Sequence, residues 1–280
     1  MEETRRPIQA APLKPDPKNW VSNSITLAWL GHSTVLLNFY GIRILTDPAL
    51  ARHVGISLGV ATLGPKRFVA PALKAQELPP IDVLLLSHAH MDHMDLPTLR
   101  SLAKPSLTIT AKRTSDILAG AGLKSPAELA WGERTVYRGP EGELEVEAIE
   151  VKHWGERWPS DKPRGYNGYI LRREGKAVLF GGDTALTPAL RQARSRGPYE
   201  VAIMPIGAYR PWIRNHCTPE EALEMANAAG AKRIVPVHHQ TFRLSEEPNQ
   251  EPIERLRAAL VHEPERLALQ QIGQTFTCPA

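Results

Sequence analysis

Ile81-Asp82-Val83-Leu84-Leu85-Leu86-Ser87-His88-Ala89-His90-Met91-Asp92-His93 is the stretch that decides how the chain folds. Its apolar first half reads as a buried strand. At the strand's end, three of the chain's 10 histidines and one carboxylate fall together. Imidazole and carboxylate are the usual ligands of zinc and similar ions. His88 and His90, at alternate positions, can reach one metal. The adjacent pair Asp92 and His93 points elsewhere and can reach a second.

Upstream, residues 25–30 and 33–39 read as strands joined at Gly31-His32. Gly41 opens a third, 42–46, that ends at Asp47-Pro48. Residues 49–80 read as a long irregular loop, of the kind that often carries function. Downstream come a helix over 97–103, a strand over 107–110, a helix over 112–119 and strands over 135–137 and 144–151. The last of these ends at Lys152-His153-Trp154. Strands over 166–172 and 177–180 flank Glu174-Gly175, and the second ends at Gly181-Gly182-Asp183. A helix over 188–194 and a strand over 201–204 follow. Thr218, Pro219 and Glu221 spell a capped helix start, and Gly230 ends that helix. A strand over 233–237 ends at His238-His239, and a helix over 253–261 precedes a strand near 275–277.

At 280 residues, 42% hydrophobic and 23% charged, the composition is that of a globular protein able to bury a sizeable core. No composition break marks a second domain. The expected organisation is a polar, proline-rich arm over 1–20 and a single domain over 21–280. Cys217 and Cys278 have no framework spacing. A net charge of +4 is too mild to argue for nucleic acid. Neither a secretory apolar segment nor an 18-residue apolar run occurs. The expectation is a cytoplasmic protein, with peripheral membrane contact left open.

Histidine or aspartate stands just past the ends of four apolar strands, at His88, His153, Asp183 and His238. Strands sharing one sheet edge would bring all four to a common rim, where α/β sheets usually bind ligands. Taken in order over residues 25–277, His88-x-His90-x-Asp92-His93, His153, Asp183 and His238 resemble the metallo-β-lactamase superfamily. The resemblance implies an α/β fold, a four-layer αββα sandwich with metals at one edge. It implies one metal on His88, His90 and His153 and a second on Asp92, His93 and His238. Asp183 and a hydroxide nucleophile would bridge them. Two divalent ions about 3.5–4 Å apart acidify the water between them and stabilise charge in the transition state. The surplus of imidazoles suits Zn2+, with Mn2+ or Fe2+ as other candidates. His90 stands where diiron electron-transfer relatives carry Glu, which favours hydrolysis. His238 and His239 compete for one ligand position, and the family comparison selects His238.

Asp47-Pro48, Gly64-Pro65-Lys66-Arg67-Phe68, His153-Trp154, residues 205–209, residues 216–222 and Pro236-Val237-His238 are similar to the branch containing N-acyl-phosphatidylethanolamine phospholipase D. That branch implies a phosphodiesterase acting on N-acyl-phosphatidylethanolamine-like lipids or related phosphodiesters. Asp92, Asp183 and His216 would be the catalytic groups, with His216 hydrogen-bonding a phosphate oxygen or protonating the leaving group. Where the branch reads His-Trp-Gly-Thr-Phe, this chain has His238-His239-Gln240-Thr241-Phe242, so one pocket wall must differ. Trp154, Tyr209, Trp212, His216, His239 and Phe242 are the expected substrate-binding residues. His32 is expected either behind the ligands or as a structural group between two strands. A lactonase or other carbonyl ester hydrolase is the alternative activity. A non-catalytic or nucleic-acid-binding relative is the third reading.

Overall fold

Residues 6–57 and 62–279 are described by a computed structural model. Residues 1–5 of the expected arm, 58–61 of the expected loop and residue 280 lie outside it. β1 (Ile25–Gly31), β2 (Thr34–Phe39) and β3 (Ile42–Thr46) form an antiparallel meander. β4 (Ile56–Ser57) and β5 (Thr62–Leu63) make a small separate hairpin within the expected loop. β6 (Val83–Leu85), β7 (Leu107–Ala111) and β8 (Ala127–Leu129) then add in parallel beside β3. The second sheet starts as the antiparallel run β9 (Arg134–Gly139), β10 (Gly142–Ile149), β11 (Gly168–Arg173) and β12 (Lys176–Phe180). It continues in parallel through β13 (Val201–Pro205) and β14 (Ile234–Val237). β15 (Thr275–Thr277) returns to pair with β1. The result is a 7-stranded sheet facing a 6-stranded one.

The strand directions matter most for the site. β1 and β3 both run antiparallel to β2, and β6 runs with β3. In the other sheet β10 and β12 both oppose β11, and β13 and β14 run with β12. Seven strands therefore end in two parallel sets. The backbone ties His238 N to His32 O (3.1 Å) and Asn167 N to Ser87 O (2.9 Å) join the two sets into one rim.

The two sheets pack through inward residues such as Leu84, Val146, Phe180, Val201, Ile203 and Val235, all buried. The opposite face of the second sheet, with Leu179, Ala202, Met204 and Ile234, is covered by helices. This period-2 alternation between two apolar layers is why β13 reads as continuously hydrophobic. On the first sheet's side the helical layer is thin: α1 (Leu96–Ser101) and α2 (Ser115–Ala119). The second side carries α3 (Ala189–Gln192), α4 (Pro219–Ala229) and α5 (Glu251–Ala259). The fold is thus an αββα sandwich.

α2 begins later than the sequence suggests. Arg113 takes a left-handed conformation (φ 63°), and Glu128 accepts hydrogen bonds from the N–H groups of Arg113, Thr114 and Ser115. A residue in that conformation cannot continue a right-handed helix. β8 escaped the sequence reading because it is only Ala127–Leu129, too short to show alternation. Residues 6–20 lie along the domain, with Gln9 bridging Val69 and Leu13 N bonded to Ile272 O (3.3 Å).

The capped start of α4 forms as expected. Thr218 Oγ1 accepts from Glu221 N (3.2 Å) and Glu221 Oε2 from Thr218 N (2.8 Å). Gly230 closes the helix in the left-handed conformation (φ 83°). Thr218→Ala is expected to cost about 1 kcal/mol of stability, read from denaturant unfolding; an unchanged midpoint would show that the cap contributes nothing.

Candidate metal centre

Each group at the rim is delivered by a strand end. His32 follows β1, Asp47 follows β3, the stretch 87–93 follows β6 and His153 follows β10. Asp183 follows β12 and His238 follows β14. His32, Asp47 and His238 all have positive φ (51°, 33° and 63°), a conformation that costs a non-glycine residue free energy and clusters at functional sites. Gly207, after β13, has to be glycine, because a Cβ there would stand 2.2 Å from His238 O.

One group of donors is His88, His90 and His153. His90 Nδ1 lies 2.8 Å from His88 Nε2 and 3.2 Å from His153 Nε2. Nitrogens sharing a tetrahedral metal with bonds of about 2.0–2.1 Å stand roughly 3.4 Å apart, close to this spacing. Hydrogen bonds fix which nitrogen faces inward. Ser87 Oγ donates to Asp47 Oδ2 (2.5 Å), so His88 Nδ1 must donate to Ser87 Oγ (2.8 Å), leaving Nε2 with its lone pair. His153 Nδ1 likewise donates to Asn215 O (2.9 Å). Partners of this kind orient metal-binding imidazoles and raise their basicity.

The second group is His32, Asp92, His93 and His238. His93 Nδ1 donates to Asp47 Oδ2 (2.7 Å), again turning Nε2 inward. Asp92 Oδ2 is 3.0 Å from His32 Nε2, 3.4 Å from His238 Nε2 and 3.6 Å from His93 Nε2. Asp183 Oδ2 lies between the groups, 3.1 Å from both His93 Nε2 and His238 Nε2 and 3.9 Å from His153 Nε2. His216 Nδ1 stands 3.8 Å from the same oxygen.

These buried atoms are under-satisfied. Asp183 Oδ1 and His216 Nδ1 have no hydrogen-bond partner. Orphaned polar atoms are rare in protein interiors and call for an explanation such as a bound ion. Their charges agree. Burial disfavours charge on His93, but Asp183, Asp92 and Asp47 outweigh it and hold the imidazole well above its usual value. His238, likewise buried, is pushed up to about 9 by Asp183 and Asp92. Asp183 would rise on burial, yet His238 and His93 hold it well below the carboxylate range. The protein carries protons on these imidazoles where a cation would otherwise sit, and the donor set fits divalent metal.

Beside the donors opens a cleft of about 700 Å³. Trp154, Trp158, Trp212, His216 and Leu244 line it together with Asp92, Asp183 and His238. Trp154 packs on His90 (4.5 Å between centroids) and His153 (4.2 Å). Three expected substrate residues are not among its lining residues. His239 turns inward and stacks on Trp29 at 4.5 Å, just past the left-handed turn at His238. Phe242 packs with Ala49 and Val54 and against the edge of His32. Tyr209 is held to α5 by Glu251 Oε1 (2.8 Å). The sequence reading assigned Asp47 and Ser87 no site role, although Asp47 ends an apolar strand just as the four recognised groups do. His32 contacts Asp92 through its ring and ties the two sheets through its carbonyl.

Fold and site together define a metal-dependent hydrolase. The chain belongs to the metallo-β-lactamase superfamily: the β-lactamase superfamily domain pattern matches residues 42–239. An uncharacterized protein of Mycobacterium tuberculosis is 32% identical over 282 residues, covering 96% of this chain and 73% of its own length. An N-acyl-phosphatidylethanolamine-hydrolyzing phospholipase D of Caenorhabditis elegans is 28% identical, covering 76% of this chain and 63% of its own. The solved structure of Igni18, a metallo hydrolase of Ignicoccus hospitalis, shares the fold with a TM-score of 0.66 at 21% identity, over 92% of this chain and 99% of its own.

Two measurements probe the cluster. Asp47→Asn removes an acceptor shared by Ser87 and His93 and should weaken metal affinity about 10- to 100-fold, read by competition with a chelator; unchanged affinity would show that Asp47 orients neither ligand. Metal uptake must also displace the His238 proton, held up to about 9. Affinity should therefore rise with pH through about 9, with protons released on binding. Calorimetry in buffers of different ionisation enthalpy measures both.

Proposed function

We propose that this chain is a phosphodiesterase of phospholipase D type that uses two divalent ions, with zinc favoured by the imidazole-rich donor set. N-acyl-phosphatidylethanolamine-like lipids or related phosphodiesters are its substrate class. The observation that carries this reading is the position of Asp183 Oδ2 between the two donor groups, at the floor of a cleft walled by tryptophans. His88, His90 and His153 would hold one ion, and Asp92, His93 and His238 the other, with Asp183 between them. Ions held there supply an acidified water and positive charge for the developing oxyanion.

The chain's own groups do the rest. Asp47 and Ser87 keep the imidazoles in the tautomer that presents Nε2 inward. His32 donates to Asp92 and holds that carboxylate toward His93 and His238. Burial pulls His216 down to about 4, so at neutral pH it is uncharged and serves as a hydrogen-bond donor to a phosphate oxygen. Trp154, Trp158 and Trp212 offer apolar surface to the non-reacting part of the substrate. Similarity to the nematode phospholipase D supports a phosphodiester substrate. Among the described residues no helix is long and apolar enough to cross a membrane, and a lipid would be met at its surface. Two buried free cysteines suit a reducing compartment such as the cytoplasm.

A substrate panel tests the reading. Bis(4-nitrophenyl) phosphate and an N-acyl-phosphatidylethanolamine vesicle should be hydrolysed well above simple lactones and neutral esters. Preference for the lactones would replace it with carbonyl hydrolysis. Asp183→Asn should abolish turnover, by at least about a hundredfold, with the fold retained in circular dichroism. An active Asp183→Asn protein would remove Asp183 from the reaction.

A further inference from the structure

The loop after His153 supplies a cation to the cleft. Arg157 is the one arginine or lysine among the described residues that line it. Its guanidinium rests on the metal-ligand stretch, with Nη1 donating to Ala89 O (2.5 Å) and Met94 O (3.0 Å). Ala89 lies between His88 and His90, and Met94 follows His93, so the positive charge sits within a residue of three candidate ligands. Two carbonyls occupy both Nη1 protons. The three N–H donors on Nε and Nη2 remain. Neither atom is among the buried unsatisfied ones, so both are open to solvent, and Arg157 is among the residues that line the cleft.

No carboxylate among the described residues lies within ion-pair distance of this guanidinium, and Asp95 and Asp92 are the leading attractive charges acting on it from farther off. Asp161 on the same loop is committed elsewhere, accepting from Arg164 Nε (2.6 Å) and from the backbone N–H of Arg157 (3.0 Å). Arg164 in turn pairs with Asp116 of α2 (2.6 Å), which anchors the loop to the first sheet's side. Asp92 and Asp183 belong to the donor cluster. Glu156, next in the chain, also lines the cleft and carries the opposite sign. A partly buried, braced and unpaired cation with a free N–H fork is the group that recognises a phosphoryl oxygen pair.

We propose that Arg157 is a specificity-determining residue that binds the non-bridging oxygens of an anionic phosphodiester and so selects it over neutral esters and lactones. This deepens the hydrolase reading of the cleft and rests on it.

The experiment compares wild type, Arg157→Gln and Arg157→Lys as metal-loaded proteins. One arm measures equilibrium binding of phenyl phosphate by calorimetry; the other measures KM and kcat for bis(4-nitrophenyl) phosphate and for 4-nitrophenyl acetate. Arg157→Gln should weaken phenyl phosphate binding and raise the phosphodiester KM by roughly 10- to 100-fold, as for loss of a charge-assisted hydrogen bond. Acetate-ester kinetics and metal content should stay at wild-type values, and Arg157→Lys should fall between. Equal phenyl phosphate affinity in Arg157→Gln and wild type would overturn the proposal. Loss of metal in both variants would also overturn it, making Arg157 a brace for the ligand stretch. The binding arm needs no turnover, so a protein that cleaves no phosphodiester would sink the phosphodiesterase reading while the role of Arg157 is still decided.

Discussion

Three carboxylates, Asp47, Asp92 and Asp183, are packed among imidazoles at one rim of the sandwich, and the arrangement is stable only if positive charge stands between them. Removing carboxylates from water is costly unless each is paired and hydrogen-bonded. Asp47 solves this with three donors: Ser87 N, Ser87 Oγ and His93 Nδ1. Asp92 and Asp183 cannot, because their neighbours are imidazoles that present the same inward nitrogens. Without metal, protons on His93 and His238 supply the charge. With metal, cations replace those protons, and the same geometry becomes a ligand set. Charge balance and metal binding are one constraint met in two ways.

That constraint explains the backbone around the site. Parallel strand ends bring side chains to one rim, but they do not aim them. The left-handed turns at His32, Asp47 and His238 do so, each just beyond a strand that packing holds rigid. Such conformations persist only where the surroundings over-determine them. His32 shows how: Trp29 Nε1 donates to its carbonyl (2.7 Å), His238 N donates to the same carbonyl, and its own N–H donates to Thr241 Oγ1 (2.6 Å). The two sheets are thereby fastened at the point where their donors must meet.

Much of this was legible in the sequence, for a physical reason. Strands buried on both faces are unbroken apolar runs, and a histidine or aspartate just past such a run stands out. The order of the strands and the capped helix at Thr218 followed from the same kind of local signal. What the sequence could not show was side-chain direction. Tyr209, His239 and Phe242 belong to segments near the rim, yet their rings turn to α5, to Trp29 and to the Ala49–Val54 patch. Asp47 was visible as a strand end but not as a partner of His93, because 46 residues separate them and only the parallel β3–β6 pairing brings them together. The late start of α2 depended on Glu128, 14 residues beyond Thr114 and on a different element.

Chemistry and selectivity are built on different parts of the molecule. The donor groups stand on strand ends locked by both sheets, where a shift of one side chain would unbalance the whole charge cluster. The cleft wall comes from the segments around Trp154–Trp158, Trp212 and Leu244, which carry no donor except His216. Those segments have their own anchors: Arg164 to Asp116 and Asp161 on one side, Glu247 to the backbone of Ala208 and Arg210 on the other. A wall fastened independently of the metal ligands can change its side chains without disturbing them. Trp154 packs on His90 and His153, and Arg157 touches the ligand stretch through its guanidinium, while both line the cleft. Arg157 Nη1 braces the ligand stretch while Nε and Nη2 are left for substrate, so choice of substrate can change there with the metal centre intact.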